Sequence, residues 1–415
     1  MKLDKYSIGI GDRFSHQGEA QLQALINGSK KLGYNFVPVW NKSNREHEIV
    51  GSSPNETRIE ADSSVKALKY NKQYFVDADH INMSNVDKFI DSSDFFTIDV
   101  ADYIGKECDK KSLHEYINKN SKYIGKLQLP GIEHPFDISR SLLEQIGNRY
   151  LYAAAQAGKI YNHIVSKKGE NNFITEVSMD EVDNPQTPIE LFFILSALSI
   201  YGVPAQTIAP KFSGRFNKGV EYVGNIEQFA IEFEQDLLVI DFAIKEFGLP
   251  NNLKLSIHSG SDKFVIYPII GNLIRKYNKG IHVKTAGTTW LEEIIGLALS
   301  DNKSLELVKK IYSIAFDRIE ELCEPYKTVI DIDRDKLPSV TDIMKMSGDI
   351  FARTLRHDQS DPKYNPHFRQ LIHVSYKIAA ELKEEFIPAL KRNKDVVGAQ
   401  VIENLYNRHI MRLFS

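Results

Sequence analysis

The chain has 415 residues, with 52 Lys and Arg against 55 Asp and Glu, for a formal net charge of −3. Its 42% hydrophobic and 26% charged residues exclude a disordered, collagen-like or disulfide-scaffold protein, and a chain this long buries a large core without staples. The near-neutral balance gives no electrostatic reason to bind nucleic acid.

Short β-branched or aromatic runs predict strands, and a period near 3.6 predicts helices. In chain order, a strand over 7–10 precedes a helix from about 18 to 32. A strand over 36–39 ends in Trp40-Asn41 and a polar loop. Strands follow over 74–78 and 95–98, then a long helix over 140–165 and a strand over 173–177. A helix over 188–200, a strand over 205–209 and a helix over 226–247 come next. The series closes with a strand over 253–257, a helix over 264–276, a strand over 281–283 and a helix over 288–299.

Eight strands, mostly followed by helices, pair in parallel through crossovers. The expected fold is a (β/α)8 TIM-type barrel over 1–300, with a helical C-terminal extension over 301–415. That extension carries helices over 304–322, 339–355, 369–390 and 396–414. The first turn, Gly9-Ile10-Gly11-Asp12-Arg13-Phe14, lacks the third glycine of a dinucleotide fingerprint. The longest apolar run, 191–203, is broken by Ser196 and Ser199 and is too short to span a bilayer. The opening residues meet acid and glycine too early for a signal peptide. Cys108 and Cys323 lie far apart with no CxxC, which suits a reducing cytoplasm and excludes a cysteine zinc site.

Polar groups cluster where the strands end. Strand three runs into Asp77-Ala78-Asp79-His80. Strand five runs into Glu176-Val177-Ser178-Met179-Asp180, with Asp183 beyond. The loop after strand six carries Lys211, Arg215 and Glu221. Strand seven ends in His258-Ser259-Gly260-Ser261-Asp262-Lys263, and strand eight in Lys284. Barrel enzymes work at this face. A capping role remains the plainer reading for an isolated Asp such as Asp262, and for Lys263 a solvated charge is as good an account.

His80 and His258 both end strands beside carboxylates, a donor set suited to Zn²⁺, Mn²⁺, Fe²⁺, Co²⁺ or Ni²⁺. Glu221 is the expected third ligand, with Glu176 and His373 in reserve. No HExxH and no GxSxG is present, so metalloprotease and serine-hydrolase readings have no support. Arg13, Lys211, Arg215, Lys263 and Lys284 give the mouth cations for an anionic, oxygen-rich substrate, and Asp77, Asp183, Ser259, Ser261 and Asp262 join them as candidate substrate contacts.

The strings Ile8-Gly9-Ile10-Gly11-Asp12-Arg13-Phe14, Phe75-Val76-Asp77-Ala78-Asp79-His80, His258-Ser259-Gly260-Ser261-Asp262-Lys263-Phe264 and His282-Val283-Lys284-Thr285-Ala286-Gly287-Thr288 resemble the tagaturonate epimerase family. The resemblance runs from the first strand into the helical tail. It implies metal-dependent interconversion of D-tagaturonate and D-fructuronate, keto acids that differ at carbon 4, in hexuronate breakdown. Carbon 4 is β to the ketone, so simple enolisation does not acidify its proton. Two routes stand open: retro-aldol cleavage between carbons 3 and 4, or direct deprotonation at carbon 4. Asp79 or Asp77 and Glu176 are the expected acid–base pair. The expected partners are a sugar acid and a second copy of the chain in a homo-oligomer, without nucleic acid or membrane. Competing readings are a glycoside hydrolase using Glu176 and Glu221, a metal-dependent aldolase acting on a sugar acid, and a hexuronate-binding protein without turnover.

Overall fold

The computed structural model describes residues Met1–Ser415. Eight strands close into a barrel: Tyr6–Ile10, Phe36–Ser43, Phe75–Ile81, Phe95–Asp99, Ile174–Ser178, Thr207–Ala209, Lys254–Ile257 and Ile281–Lys284. Each pairs in parallel with the next, and the eighth returns to the first through Tyr6–Ile281 to Gly9–Lys284. The strands match the sequence expectation to within a few residues at each end.

Side-chain alternation builds the interior. Val37, Val39, Phe75, Phe95 and Ile174 form a small apolar cluster with Leu3. One step further along the same strands, the same phase turns Asn41, Asp77, Asp79, Thr97 and Glu176 toward the C-terminal mouth. The outward phase, including Ile8, Val76, Ile98, Val177, Ile208, Leu255 and Val283, packs under the surrounding helices.

The connections are richer than the sequence reading. The polar loop after strand two folds into helices Asn44–Val50 and Pro54–Ala67, each opened by a Ser–Glu capping box. Between strands four and five come helix Lys110–Asn120, a hairpin of Gly125–Leu127 with Phe136–Ile138, and helix Arg140–Lys168. The helix expected from 264 begins at Tyr267, because Asp262 adopts φ 61° and the chain turns before it can wind.

The C-terminal region is made of helices without a strand, but its expected long helices are broken. Residues 369–390 fall across Pro366–Val374, Tyr376–Glu381 and Lys383–Arg392, and 396–414 contain a π-helical stretch, Glu403–Ile410. A second apolar core runs from Trp290 to Val397 and includes Tyr312, Phe351, Phe368 and Phe386. The last residues, Leu405 to Phe414, return to the barrel core beside Phe36 and Tyr6. No helix is long and apolar enough to cross a membrane.

Candidate active site

Strand three bends where it meets the mouth. Its register shifts between Ala78 and Ile81, and His80 takes φ 52°, costly for a residue with a Cβ. Ser259, just past strand seven, takes φ 47°. These two strained points flank the pair of imidazoles, whose ring centroids lie 5.0 Å apart.

His80, Asp180 and His258 offer ligand atoms that all lie within 4.8 Å of one another. Carboxylates behind them fix both rings. Asp99 sits 3.1 Å from His80 Nδ1, which leaves Nε2 free. Glu176 sits 2.7 Å from His258 Nε2, which leaves Nδ1 beside Asp180 Oδ1 at 3.1 Å. That last spacing is close to the ~3 Å separating two ligands at right angles ~2.1 Å from one ion. Carboxylates that orient metal-binding imidazoles through the far nitrogen are the usual second layer of such centres. The donor set therefore fits a divalent cation.

Below this triad lies a buried ionic cluster. Lys284 Nζ donates to Asp79 Oδ1 at 2.6 Å, Asp77 Oδ2 at 2.9 Å and Thr97 Oγ1 at 2.7 Å, and lies 3.0 Å from Glu176. Burial opposes the ammonium, but three carboxylates overcome it and hold its pKa well above the ordinary value. Burial pushes the Asp77 carboxyl up to about 7, with Asp79 and Glu176 adding to the rise and Lys284 opposing it. Burial would also raise Asp79, yet Lys284, His80 and His258 outweigh it and keep the carboxylate ionised. Burial disfavours charged imidazoles, but Asp79 and Asp99 raise His80 to about 10, and Asp180 and Glu176 raise His258 to about 9. Protons and a cation compete for these nitrogens.

Two adjoining cavities meet at Asp180, His258 and Ser259. The inner one, about 80 Å³, is lined by Arg13, Asp79, His80, Lys218, Lys284 and His373, among others. The outer one, about 270 Å³, is lined by Asp183, Lys211, Phe212, Arg215 and Phe216, with Thr328 and Val329 from the helical region.

The structure brings Arg13, Asp79, His80, His258, Ser259, Ser261 and Lys284 to the inner cavity, and Asp183, Lys211 and Arg215 to the outer. Asp77 lies beneath, wholly engaged by Thr97 and Lys284. Four expectations change. Glu221 is outside the triad: its carboxylate accepts from the Tyr222 and Val265 amides, and Asp180 occupies the third position instead. Glu176 is fully buried and lines neither cavity, so it orients His258 rather than meeting a substrate. Lys263 is sealed, its ammonium donating to the Asn217, Val220 and Ser261 carbonyls. Asp262 is also sealed, paired with Arg369 at 2.7 Å and near His357 and His409. The loss of Glu176 and Glu221 from the cavities also removes the glycosidase pair.

Sequence reasoning placed Asp180 in the polar cluster after strand five without giving it a role, and passed over Asp99, Thr97 and Lys218. Asp99 ends strand four and Asp180 comes two residues after strand five, the same strand-end position that picked out Asp79. Lys218 had no signal beyond its loop.

A closed parallel barrel with its ionisable groups gathered at the strand C-termini is the arrangement of a (β/α)8-barrel enzyme. The family model for tagaturonate epimerase matches residues 1–413. A tagaturonate/fructuronate epimerase of Thermotoga maritima is 27% identical over 421 residues, spanning 97% of this chain and 80% of that protein. The glycerol-bound crystal structure of a fructuronate-tagaturonate epimerase from Cohnella laeviribosi superposes with a TM-score of 0.81 at 23% identity, covering 100% of this chain and 82% of that one. The native crystal structure of the same Cohnella enzyme gives 0.79. These two establish the shared fold. The chain belongs to the tagaturonate epimerase family.

Proposed function

We propose that the chain interconverts D-tagaturonate and D-fructuronate at carbon 4 with a divalent cation of the Mn²⁺, Fe²⁺, Co²⁺, Ni²⁺ or Zn²⁺ type held by His80, Asp180 and His258. The observation that carries this reading is the triad itself: two carboxylate-braced imidazoles and a carboxylate converging in a cation-lined cavity.

The chemistry favours cleavage and rejoining of the bond between carbons 3 and 4, because the proton on carbon 4 is not acidified by the ketone. When bound, the cation supplies positive charge against the enediolate that cleavage leaves across carbons 2 and 3. The residues of the chain do the rest. Arg13 and Lys218 in the inner cavity, with Lys211 and Arg215 in the outer, attract and orient the anionic sugar acid. Arg13 is held for this by Glu46 and by stacking on Tyr376, 4.6 Å from the ring centre. Lys284 and Asp79 form the proton-exchanging pair on the cavity floor: Asp79 keeps the ammonium in place, and Lys284 Nζ, protonated at rest, gives a proton to the carbon 4 oxygen and recovers it when the reaction runs back. Rotation of the cleaved aldehyde before rejoining inverts carbon 4.

We divide the chain functionally into the catalytic barrel, 1–300, and the helical region, 301–415, that roofs its mouth. The chain's two free cysteines, Cys108 and Cys323, suit a cytoplasmic enzyme.

A proton NMR time course tests the reaction. EDTA-treated enzyme is expected to lose conversion, and added Mn²⁺, Co²⁺ or Ni²⁺ to restore it; undiminished activity in metal-free protein refutes the metal's part. In D2O, carbon 4 is expected to keep its proton. Deuterium there refutes the cleavage route.

A further inference from the structure

Inversion at carbon 4 asks for proton exchange on two faces of the substrate, and the floor pair serves only one. The opposite face is closed by the C-terminal helical region. There the helix Pro366–Val374 lowers His373 into the inner cavity. The ring occupies a slot between two loops. A Cβ on Gly219, after strand six, would lie 3.0 Å from its Cδ2, and one on Gly287, after strand eight, 3.2 Å from its Nε2. Glycine at both positions is what lets the ring come this close to the mouth.

His373 is 3% exposed and takes part in no hydrogen bond; of its two nitrogens, Nδ1 is sealed and unpartnered. Packing alone does not account for an imidazole here. A leucine or phenylalanine would fill the slot without leaving a buried polar atom unpaired, a cost of about 1–3 kcal/mol. The charged groups facing the ring are Arg13 from the loop after strand one, Lys218 from the loop after strand six, Arg369 from its own helix, and Asp262 from the loop after strand seven. Burial and the three cations outweigh Asp262 and keep the ring neutral, in the form of a base.

We propose that His373 is a catalytic acid–base residue of this epimerase, exchanging the carbon 4 hydroxyl proton from the roof while Lys284 serves the floor. This rests on the epimerase reading and its cleavage route. For the epimer whose hydroxyl faces the roof, His373 Nε2 takes the hydroxyl proton. The carbon 3–carbon 4 bond then breaks, its electrons passing to the enediolate while carbon 4 becomes an aldehyde. The aldehyde turns, carbon 3 re-adds to its other face, and the new carbon 4 oxygen takes a proton from Lys284 Nζ. The enzyme is left with one proton more on His373 and one fewer on the floor. That form accepts the other epimer and runs the step in reverse, and exchange with water resets it.

The test uses His373→Gln and His373→Ala in the metal-loaded enzyme, each checked for wild-type metal content and melting temperature. The expected result is a fall in kcat of ~100-fold or more with KM changed less than ~3-fold, in line with loss of one acid–base group. Imidazole in the buffer is expected to restore activity to His373→Ala in a saturable way, which a merely structural histidine would not show. A fully metal-loaded His373→Ala enzyme with kcat within ~3-fold of wild type, or one that imidazole does not rescue, overturns the assignment. Wild-type enzyme inactive on both keto acids refutes the reaction and this role together; the variants refute the role alone.

Discussion

Glu176→Gln separates two parts a buried carboxylate can play. Glu176 Oε1 lies 2.7 Å from His258 Nε2, 3.1 Å from Thr97 Oγ1 and 3.0 Å from Lys284, while Oε2 has no partner. Gln has the same shape, so packing is kept and only the charge and the strength of the bond to His258 are lost. Outer-shell partners of this kind are worth about 10–100-fold in metal affinity, or roughly 1.4–2.8 kcal/mol. Lys284 stays anchored by Asp77 and Asp79, so the floor pair survives the change. Chelator competition measures the metal Kd, and kcat is read at saturating metal. The expected outcome is a Kd raised ~10–100-fold with kcat reduced by less than ~10-fold. An unchanged Kd with kcat reduced ~10²–10⁴-fold would refute the argument, because Glu176 would then be exchanging protons with the substrate.

Arg369→Met strips a wholly buried partner from Asp262 and is expected to cost about 3–5 kcal/mol. At ~2.1 cal/mol/K per residue, the 415-residue chain unfolds with ~0.9 kcal/mol/K, so Tm should fall by about 3–6 °C; Arg369→Met with Asp262→Leu should recover part of it, and an unshifted Tm refutes the pair's role. Lys254, whose ammonium donates to the Asp4 carbonyl, has its pKa pushed down to about 7 by burial. Below that pH the folded state carries a buried charge, and between pH 7 and the unfolded value near 10.5 the unfolded state binds more protons, so stability rises with pH. Lys254→Met should therefore raise Tm most at or below pH 7 and least near pH 10; a gain that grows with pH would refute this sign.

The barrel was legible because its strands are short apolar runs with helices between them, and closure follows from their number and parallel pairing. The mouth was legible for the same reason: Asp79, His80, His258 and Lys284 are ionisable groups set directly on strand ends. What failed was whatever depends on loop trajectory. Glu221 and Asp180 are equally acidic, but Asp180 comes two residues after the end of strand five and Glu221 twelve after the end of strand six. Glu221, inside the loop closed by the Arg215–Val223 bridge, turns back on its own backbone, while Asp180 follows its strand straight into the mouth. Glu176 misled for another reason: inward alternation one layer deeper places a carboxylate under the site instead of in it. Helices Asn44–Val50 and Pro54–Ala67 were missed although Ser43/Glu46 and Ser53/Glu56 carry capping-box spacing, since their sequences are too polar for periodicity to show.

No reading of strand ends alone reaches the groups that come from the helical region, and the proposed reaction gives that region a chemical task. Cleavage between carbons 3 and 4 produces an enediolate that water can protonate at carbon 3, releasing a three-carbon ketone. An aldolase lets that happen; an epimerase must hold both fragments through one rotation and deny the carbanion a proton. The strand ends form only a floor. Thr328 and Val329 wall the outer cavity, His373 enters the inner one, and Tyr376 backs Arg13, all from beyond residue 300. Arg369 ties that roof to the loop bearing His258 by donating to Asp262, and to the loop after strand six by donating to the Gly219 carbonyl. Roof and floor therefore set the same two loops, and the residues that exclude water are joined through buried, charge-assisted bonds to those that position the triad.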